Sequence, residues 1–368
     1  MIRIRSGVVV DRVDLVSALA GALEVTVRLT DGTSVPALAY ADVVGVPRIG
    51  ERVLLNVTAL DRGLGTGGLA LVTALPDRDD ADQPGGPPPG APGHLVKARY
   101  TPLQTMVLGV DEQESPHHAL LADADDLAGL PVVVADLHSA LPAIVAGVLE
   151  RAPDARIAYL MTDGGALPVA FSRTVAALRR AGVLATCISV GQAYGGDLEA
   201  VTVHSGLLAA RLVAGADIAV VAQGPGNLGT GTRWGFSGVI AGESVNAAGT
   251  LGGRPVASLR VSQADARERH RGISHHSRTA YGRVALVSAD LPVPLLPGDV
   301  GALVDVQAAA LVAATGGRLV RHDIELEGLE EAIVRSPVTV RTMGRGYADD
   351  PASFLAAAAA GRYAASLL

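Results

Sequence analysis

The sequence predicts an α/β protein: a doubly wound, mainly parallel sheet behind a small N-terminal all-β barrel of the SH3-like or OB-like kind. Three observations carry that prediction. Short runs with strand character crowd the first 75 residues. From about residue 96 onward, apolar runs alternate with single helix-length segments, the texture of a parallel sheet covered on both faces. Residues 218–238, IAVVAQGPGNLGTGTRWGFSG, run from an apolar strand-like segment straight into a loop crowded with glycines.

Residues 1–75 supply five short runs: GVVVDRV, LEVTVRL, SVPALAY, RVLLNVTAL and LALVTAL. Asp31-Gly32 between two of them is a tight hairpin signal. Five strands in so short a length suit a small barrel domain. Residues 76–95 come next, opening PDRDDADQPGGPPPGAPGH, where Pro, Gly and Asp exclude a packed core and predict a linker. Residues 96–368 form the predicted ligand-binding domain. Its strand candidates are 105–110, 131–136, 156–161, 183–190, 217–222, 255–261, 283–288 and 318–322. The helix candidates are 140–151, 172–181, 198–214, 237–250 and 300–314. The final stretch, ASFLAAAAAGRYAASLL, is short, alanine-rich and carries Arg362, so a packing helix is expected in place of a membrane span.

Composition narrows the function classes. Net charge is −7 over 368 residues, the wrong sign for a general nucleic-acid binder. The hydrophobic share of 49% with only 3% aromatics implies a core of Ala, Val, Leu and Ile. Cys187 is the lone cysteine, which excludes an internal disulfide and fits a reducing compartment. The opening MIRIRSGVVVDRV alternates charged and apolar residues like a strand and unlike a signal peptide. A cytoplasmic protein without nucleic-acid or membrane partners is expected, with a homo-oligomer left open.

In open parallel sheets, ligands bind beyond the carboxyl ends of the strands, so the residues just past each strand are the place to look. Asp136-Leu137-His138-Ser139 come after VVVA, and Thr162-Asp163-Gly164-Gly165 come after IAYLM. Asp197 and His204 come after TCISV, and the glycine loop comes after IAVVAQ. Arg267, Arg269, His270, Arg271 and the pair His275-His276 come after ASLRV. Asp136, His138, Asp163, Asp197, His275 and His276 are therefore the candidate catalytic residues. A mixture of His and Asp also suits a divalent metal, with Asp136, His138 and Asp163 as its candidate ligands. Helix N-caps and loop hydrogen bonds are the plainer explanation for the aspartates.

The glycine loop invites an anion, because no Cβ blocks the approach of backbone N–H groups. Its candidate ligand-binding residues are Gly224, Gly226, Asn227, Gly229, Thr230, Gly231, Thr232 and Trp234. Gly224, Gly226 and Gly229 also satisfy G-x-G-x-x-G, but Arg260 and Ser262 stand where a dinucleotide fold needs an acidic residue. Arg267 and Arg271, with Arg269 between them, extend the set as a guanidinium clamp, with a solvated charged loop as the alternative. Leu-Gly-Thr-Gly occurs at 64–67 and again at 228–231. This is either chance in a glycine-rich chain or a barrel loop acting as a second wall of the site.

Together DLHS, MTDGGALP, GGDLEAV, GPGNLGTGTRWGFSG and RHRGISHH resemble segments shared by a bacterial family of unknown function, DUF3866. The likeness runs over nearly the whole chain. It implies no activity and only draws attention to Asp136, His138, Asp163, Asp197, 224–232, Trp234, His275 and His276. The functional expectation is an enzyme, hydrolase or group transferase, acting on a small anionic or phosphorylated metabolite. The alternatives are a metabolite-sensing regulatory protein without catalysis and an NAD(P)-binding oxidoreductase.

Overall fold

The computed structural model describes residues 1–13, 21–65, 67–78 and 90–368. Contacts divide the chain into two compact units, 1–107 and 108–368.

The first unit holds a closed five-stranded barrel in the order β1-β2-β3-β5-β4. Its strands are β1 (Ile4–Val13), β2 (Ala22–Leu29), β3 (Ser34–Tyr40), β4 (Arg52–Asn56) and β5 (Ala70–Ala74), with a single-turn α1 (Ala41–Val44) between β3 and β4. All pairings are antiparallel except β3 with β5. Of the two expected barrel kinds, this strand order is the OB-like one. The β2–β3 hairpin turns at Asp31-Gly32: Gly32 takes φ +86 and Asp31 Oδ1 accepts from the Thr33 amide at 3.0 Å. Alternate residues, among them Val25, Val27, Val53, Leu55 and Val72, fill the barrel. Two further strands, β6 (Leu95–Lys97) and β7 (Thr105–Val107), pair only with each other among the described residues. The run at 105–110 is therefore not the first strand of the large sheet, and the unit boundary falls after residue 107. Residues 79–89 of the expected linker, and Thr66 of the repeated tetrapeptide, lie outside the described residues.

The second unit opens with a one-turn α2 (His118–Leu121) and is built on an eight-stranded, all-parallel sheet. In chain order come β8 (Pro131–Val134), α3 (Leu141–Arg151), β9 (Ile157–Thr162), α4 (Arg173–Arg180), β10 (Thr186–Val190), β11 (Leu198–Ala200), α5 (Val203–Leu208), β12 (Ile218–Gln223), α6 (Ile240–Thr250) and β13 (Arg254–Ala257). After these come β14 (Val261–Ser262), β15 (Gly272–Ile273), α7 (His275–Thr279), β16 (Ala289–Pro294), α8 (Gly298–Ala314), β17 (Leu319–Ile324), α9 (Leu329–Val334), the ribbon β18 (Arg341–Thr342) and β19 (Arg345–Gly346), and α10 (Pro351–Ala365). The sheet order is β11-β10-β9-β12-β8-β13-β16-β17. From β8 the chain winds outward through β9 and β10, then reverses and fills in β12, β13, β16 and β17. With right-handed crossovers, that reversal puts α3 and α4 on one face and α5 to α8 on the other. The half of the first face that this winding leaves bare is covered by α10, which packs on α3, β8, β13 and β16.

Two further elements differ from expectation. The strand expected at 283–288 is instead the end of a helical run: α7 widens into a π-turn at Ala280–Val284. The sheet strand is β16, ADLPVP, whose Pro292 and Pro294 disguise it. The helix expected at 198–214 starts as the edge strand β11, then becomes α5 and a π-turn at Ala209–Val213.

Candidate functional site

Ligand crevices form where strand order reverses, and here the reversal sets the carboxyl ends of β9, β12, β8 and β13 side by side. Thr162, Gln223, Asp136 and Arg260 stand at or just past those ends. Gln223 ties two of them together: its Nε2 donates to the Asp136 carbonyl at 2.9 Å and to Asn227 Oδ1 at 3.1 Å. Five buried side-chain polar atoms lack a hydrogen-bond partner among the described residues. Four belong to this rim: Asp136 Oδ2, Thr162 Oγ1, Gln223 Oε1 and His275 Nε2. Orphaned groups are rare in folded interiors because each forfeits its hydration, so their concentration in one place marks a functional region.

The histidine segment reaches the rim by a local device. β14 and β15 pair antiparallel, Val261 with Ile273 and Ser262 with Gly272, which turns the 263–271 loop back on itself. Gly272 sits at φ +65, where a side chain is strained, and a Cβ there would also push aside Gln307 Oε1, 2.3 Å away, which accepts from the Ile273 amide. Ser274 then caps α7 by accepting from the His276 amide at 3.2 Å and is hydrogen-bonded to His270 Nδ1 at 2.8 Å. His270, His275 and His276 end face to edge, with ring centroids 4.3–5.0 Å apart. The other face of His276 stacks on Phe236 at 3.8 Å. Arg260 donates to His276 Nδ1 at 3.0 Å, which assigns the neutral ring its proton on Nε2. Asp136 Oδ2 lies 3.6 Å from His276 Nδ1 and 3.9 Å from Arg260 Nη1. Burial, then the nearby cations, push His270 down to about 3 and His275 down to about 4. Both are neutral bases at physiological pH.

Beyond these rings open two clefts that share Arg269, Arg278 and Gln307. One, of about 680 Å³, has Arg233, Arg269, Arg278, Arg283 and His275 on its walls, opposed by Val306, Ala310 and Ala314 of α8. The other, of about 920 Å³, adds Ser262 and Arg271. None of these five guanidiniums is ion-paired with a carboxylate among the described residues.

The remaining expected residues are engaged elsewhere. His138 is buried, bonded through Nδ1 to Tyr159 Oη at 3.0 Å and through Nε2 to Ser172 Oγ at 2.7 Å. Asp163 accepts from the Gln192 amide at 2.9 Å. Asp197 brackets Arg179 and the Cys187 amide, each at 2.8 Å. Asp136, His138 and Asp163 do not converge on a point. Among the described residues, the group of three His, Cys, Asp or Glu side chains whose ligand atoms lie within 4.8 Å of one another is His270, His275 and His276. Arg267 is no clamp, since Asp265 takes its guanidinium with two hydrogen bonds at 2.8–2.9 Å.

The glycine loop is knitted to itself. The Gly224, Leu228 and Thr230 amides donate to Thr162 O, Ser237 Oγ and Gly235 O, and Asn227 Oδ1 accepts from Ser237 Oγ at 2.7 Å. Thr232 Oγ1 accepts from the Gly235 amide, Gly229 bridges Phe236, and Trp234 is exposed. Gly224 and Gly165 are needed for contact between loops: a Cβ on Gly165 would lie 2.1 Å from Gly224 O, and one on Gly224 would lie 2.3 Å from Ala166 O. Gly226 and Gly231 take φ +92 and +80.

A family model described as a protein of unknown function, DUF3866, matches residues 36–361. The chain belongs to that family. No curated protein and no solved structure matches it. The matched span takes in the barrel from β3 onward and every rim residue named above. Arg233, Arg260, His270, Arg278 and Arg283 were not singled out from sequence as site residues. The H-x-x-x-x-H-H spacing of 270–276 was the available signal, and it becomes a cluster only once the β14–β15 turn is known. No helix among the described residues is long and apolar enough to cross a membrane.

Proposed function

We propose that the α/β unit is an enzyme, of hydrolase or group-transfer type, acting on a small metabolite with a phosphate or similar anionic group. The observation that carries this reading is the set of guanidiniums without carboxylate partners, Arg233, Arg269, Arg278 and Arg283, gathered on one cleft beside a neutral His275. Forked donors of this kind pair bidentately with phosphate or carboxylate oxygens. The apolar wall from α8 suits the uncharged body of the ligand. Catalysis is favoured over sensing by Asp136, a buried carboxylate with an orphaned oxygen beside His276 and Arg260. Such an acid–imidazole pair can hold and pass a proton, and His276 packs against His275, which lines the cleft. The dinucleotide alternative is weakened because Gly224, Gly226 and Gly229 lie eight or more residues before the first helical turn at Ser237–Val239, so they do not form a helix N-terminus for a pyrophosphate.

The test is a thermal-shift panel of inorganic phosphate, sugar phosphates, nucleotides and uncharged analogues, followed by turnover assays on the compounds that stabilise. A true ligand at a hundred times its Kd adds about 2.7 kcal/mol. The effect is expected to vanish in Arg278→Ala, and turnover, but not binding, is expected to be lost in Asp136→Asn. Equal stabilisation by uncharged analogues, or by no compound at all, would count against the proposal.

A further inference from the structure

We infer that His270, His275 and His276 form a binding site for one imidazole-preferring divalent metal ion, zinc foremost, with Asp136 as its outer-shell carboxylate. The ligand atoms of the three rings all lie within 4.8 Å of one another. A tetrahedral ion with bonds of about 2.0–2.1 Å needs its nitrogens roughly 3.4 Å apart, a distance reached by small ring rotations. Two of the rings have one nitrogen oriented by the protein and one left over. Ser274 holds His270 by Nδ1, which leaves Nε2. Arg260 and Asp136 face Nδ1 of His276, which leaves Nε2 there as well. His275 Nε2 is buried with no partner at all.

A buried imidazole nitrogen without a hydrogen bond is costly as a structural feature and natural as a ligand. Asp136 fits the remaining requirement. Metal binding through Nε2 of His276 moves that ring's proton to Nδ1, where it displaces the Arg260 N–H and meets Asp136 Oδ2, which lies 3.6 Å from Nδ1 and 3.9 Å from the Arg260 guanidinium that must turn aside. Three imidazoles leave a fourth position open, the ligand count of catalytic zinc, and His275 is itself a wall of the arginine cleft. The inference does not rest on the anion reading, because the ion is recognised by the rings alone.

The experiment uses the full chain, stripped with chelator, in phosphate-free buffer, titrated with Zn²⁺ and with Co²⁺ as a spectroscopic substitute. One ion per chain is expected, with Co²⁺ giving the intense visible bands of four- or five-coordination. His275→Asn and His270→Asn should each weaken binding more than a hundredfold, with far-UV circular dichroism confirming their fold. Asp136→Asn should weaken it by about 10–100-fold, the usual effect of an outer-shell partner. X-ray absorption on the zinc-loaded wild type should show imidazole nitrogens at about 2.0–2.1 Å, a readout that needs no variant. Binding below one ion per chain, an oxygen-only shell, or undiminished affinity in a folded His275→Asn protein would overturn the site.

Discussion

The ring of His138 lies between Tyr159 and Ser172, and its protonation is dictated by what those two hydroxyls already do. Tyr159 gives its proton to the carbonyls of Ala222 and Gln223, so its oxygen accepts from His138 Nδ1, leaving Nε2 to accept from Ser172. Burial pushes this histidine down to about 4. Unfolding returns it to an ordinary value near 6.5, so between those limits the unfolded chain binds the extra proton and stability falls as pH falls. The loss should reach about 3 kcal/mol by pH 4 and be absent above pH 6.5. Denaturant titrations of wild type and His138→Gln from pH 7 to pH 4 check this: the stability gap between them should narrow as the solution acidifies. A gap independent of pH would refute the assignment. His138, Asp163 and Asp197 show what the sequence could and could not tell at this scale. All three stand past the ends of sheet strands, as their positions implied. Their partners come from residues 10 to 34 positions away, and only the packed loops reveal that those partners occupy them.

At the scale of elements, the pairing of α3 with α10 has the most exacting geometry. Gly147 of α3 faces Ala358, and Gly361 of α10 faces Ile144, with carbonyl oxygens 1.9–2.0 Å from where a Cβ would be. The two backbones are in contact with no side chain between them, and Ala356 to Ala360 extend the small-residue surface. Gly147→Val should therefore force the helices apart and destabilise the unit by about 3 kcal/mol or more, beyond ordinary overpacking because backbone has to move. Calorimetry reads this directly; a change below about 1 kcal/mol, the effect of an ordinary substitution, would mean that the helices are not in register as described. The strands most readily read were those of unbroken Val, Ile and Leu, such as β8 and β12. β16 was displaced in the reading because its prolines argue against a strand, and the apolar residues just before it belong to the end of a helical run. β14 and β15, two residues each, carry no periodicity to detect. Yet their turn is what assembles the histidines.

The whole molecule comprises two units with separate cores, one lining the barrel and one spanning the large sheet. A unit with its own core is expected to fold alone. A fragment covering 108–368 should therefore unfold cooperatively and keep the phosphate-dependent stabilisation proposed for the full chain. Circular dichroism melts with and without ligand test this, and a fragment lacking a cooperative transition would show that the division is not one of stability. The barrel and the wound sheet were legible because both depend on local patterns of alternation and apolar runs. The sheet's order was not, since it depends on which face each crossover helix takes.

That order has a consequence for biogenesis. Strands β8, β13 and β16 leave the ribosome well before α10, the helix that shields their second face. Until α10 arrives, the nascent chain presents a broad, greasy, half-finished surface to the cell. Synthesis that stalls ahead of residue 351 would thus leave a product prone to capture by holdases or to clumping, however complete its sheet.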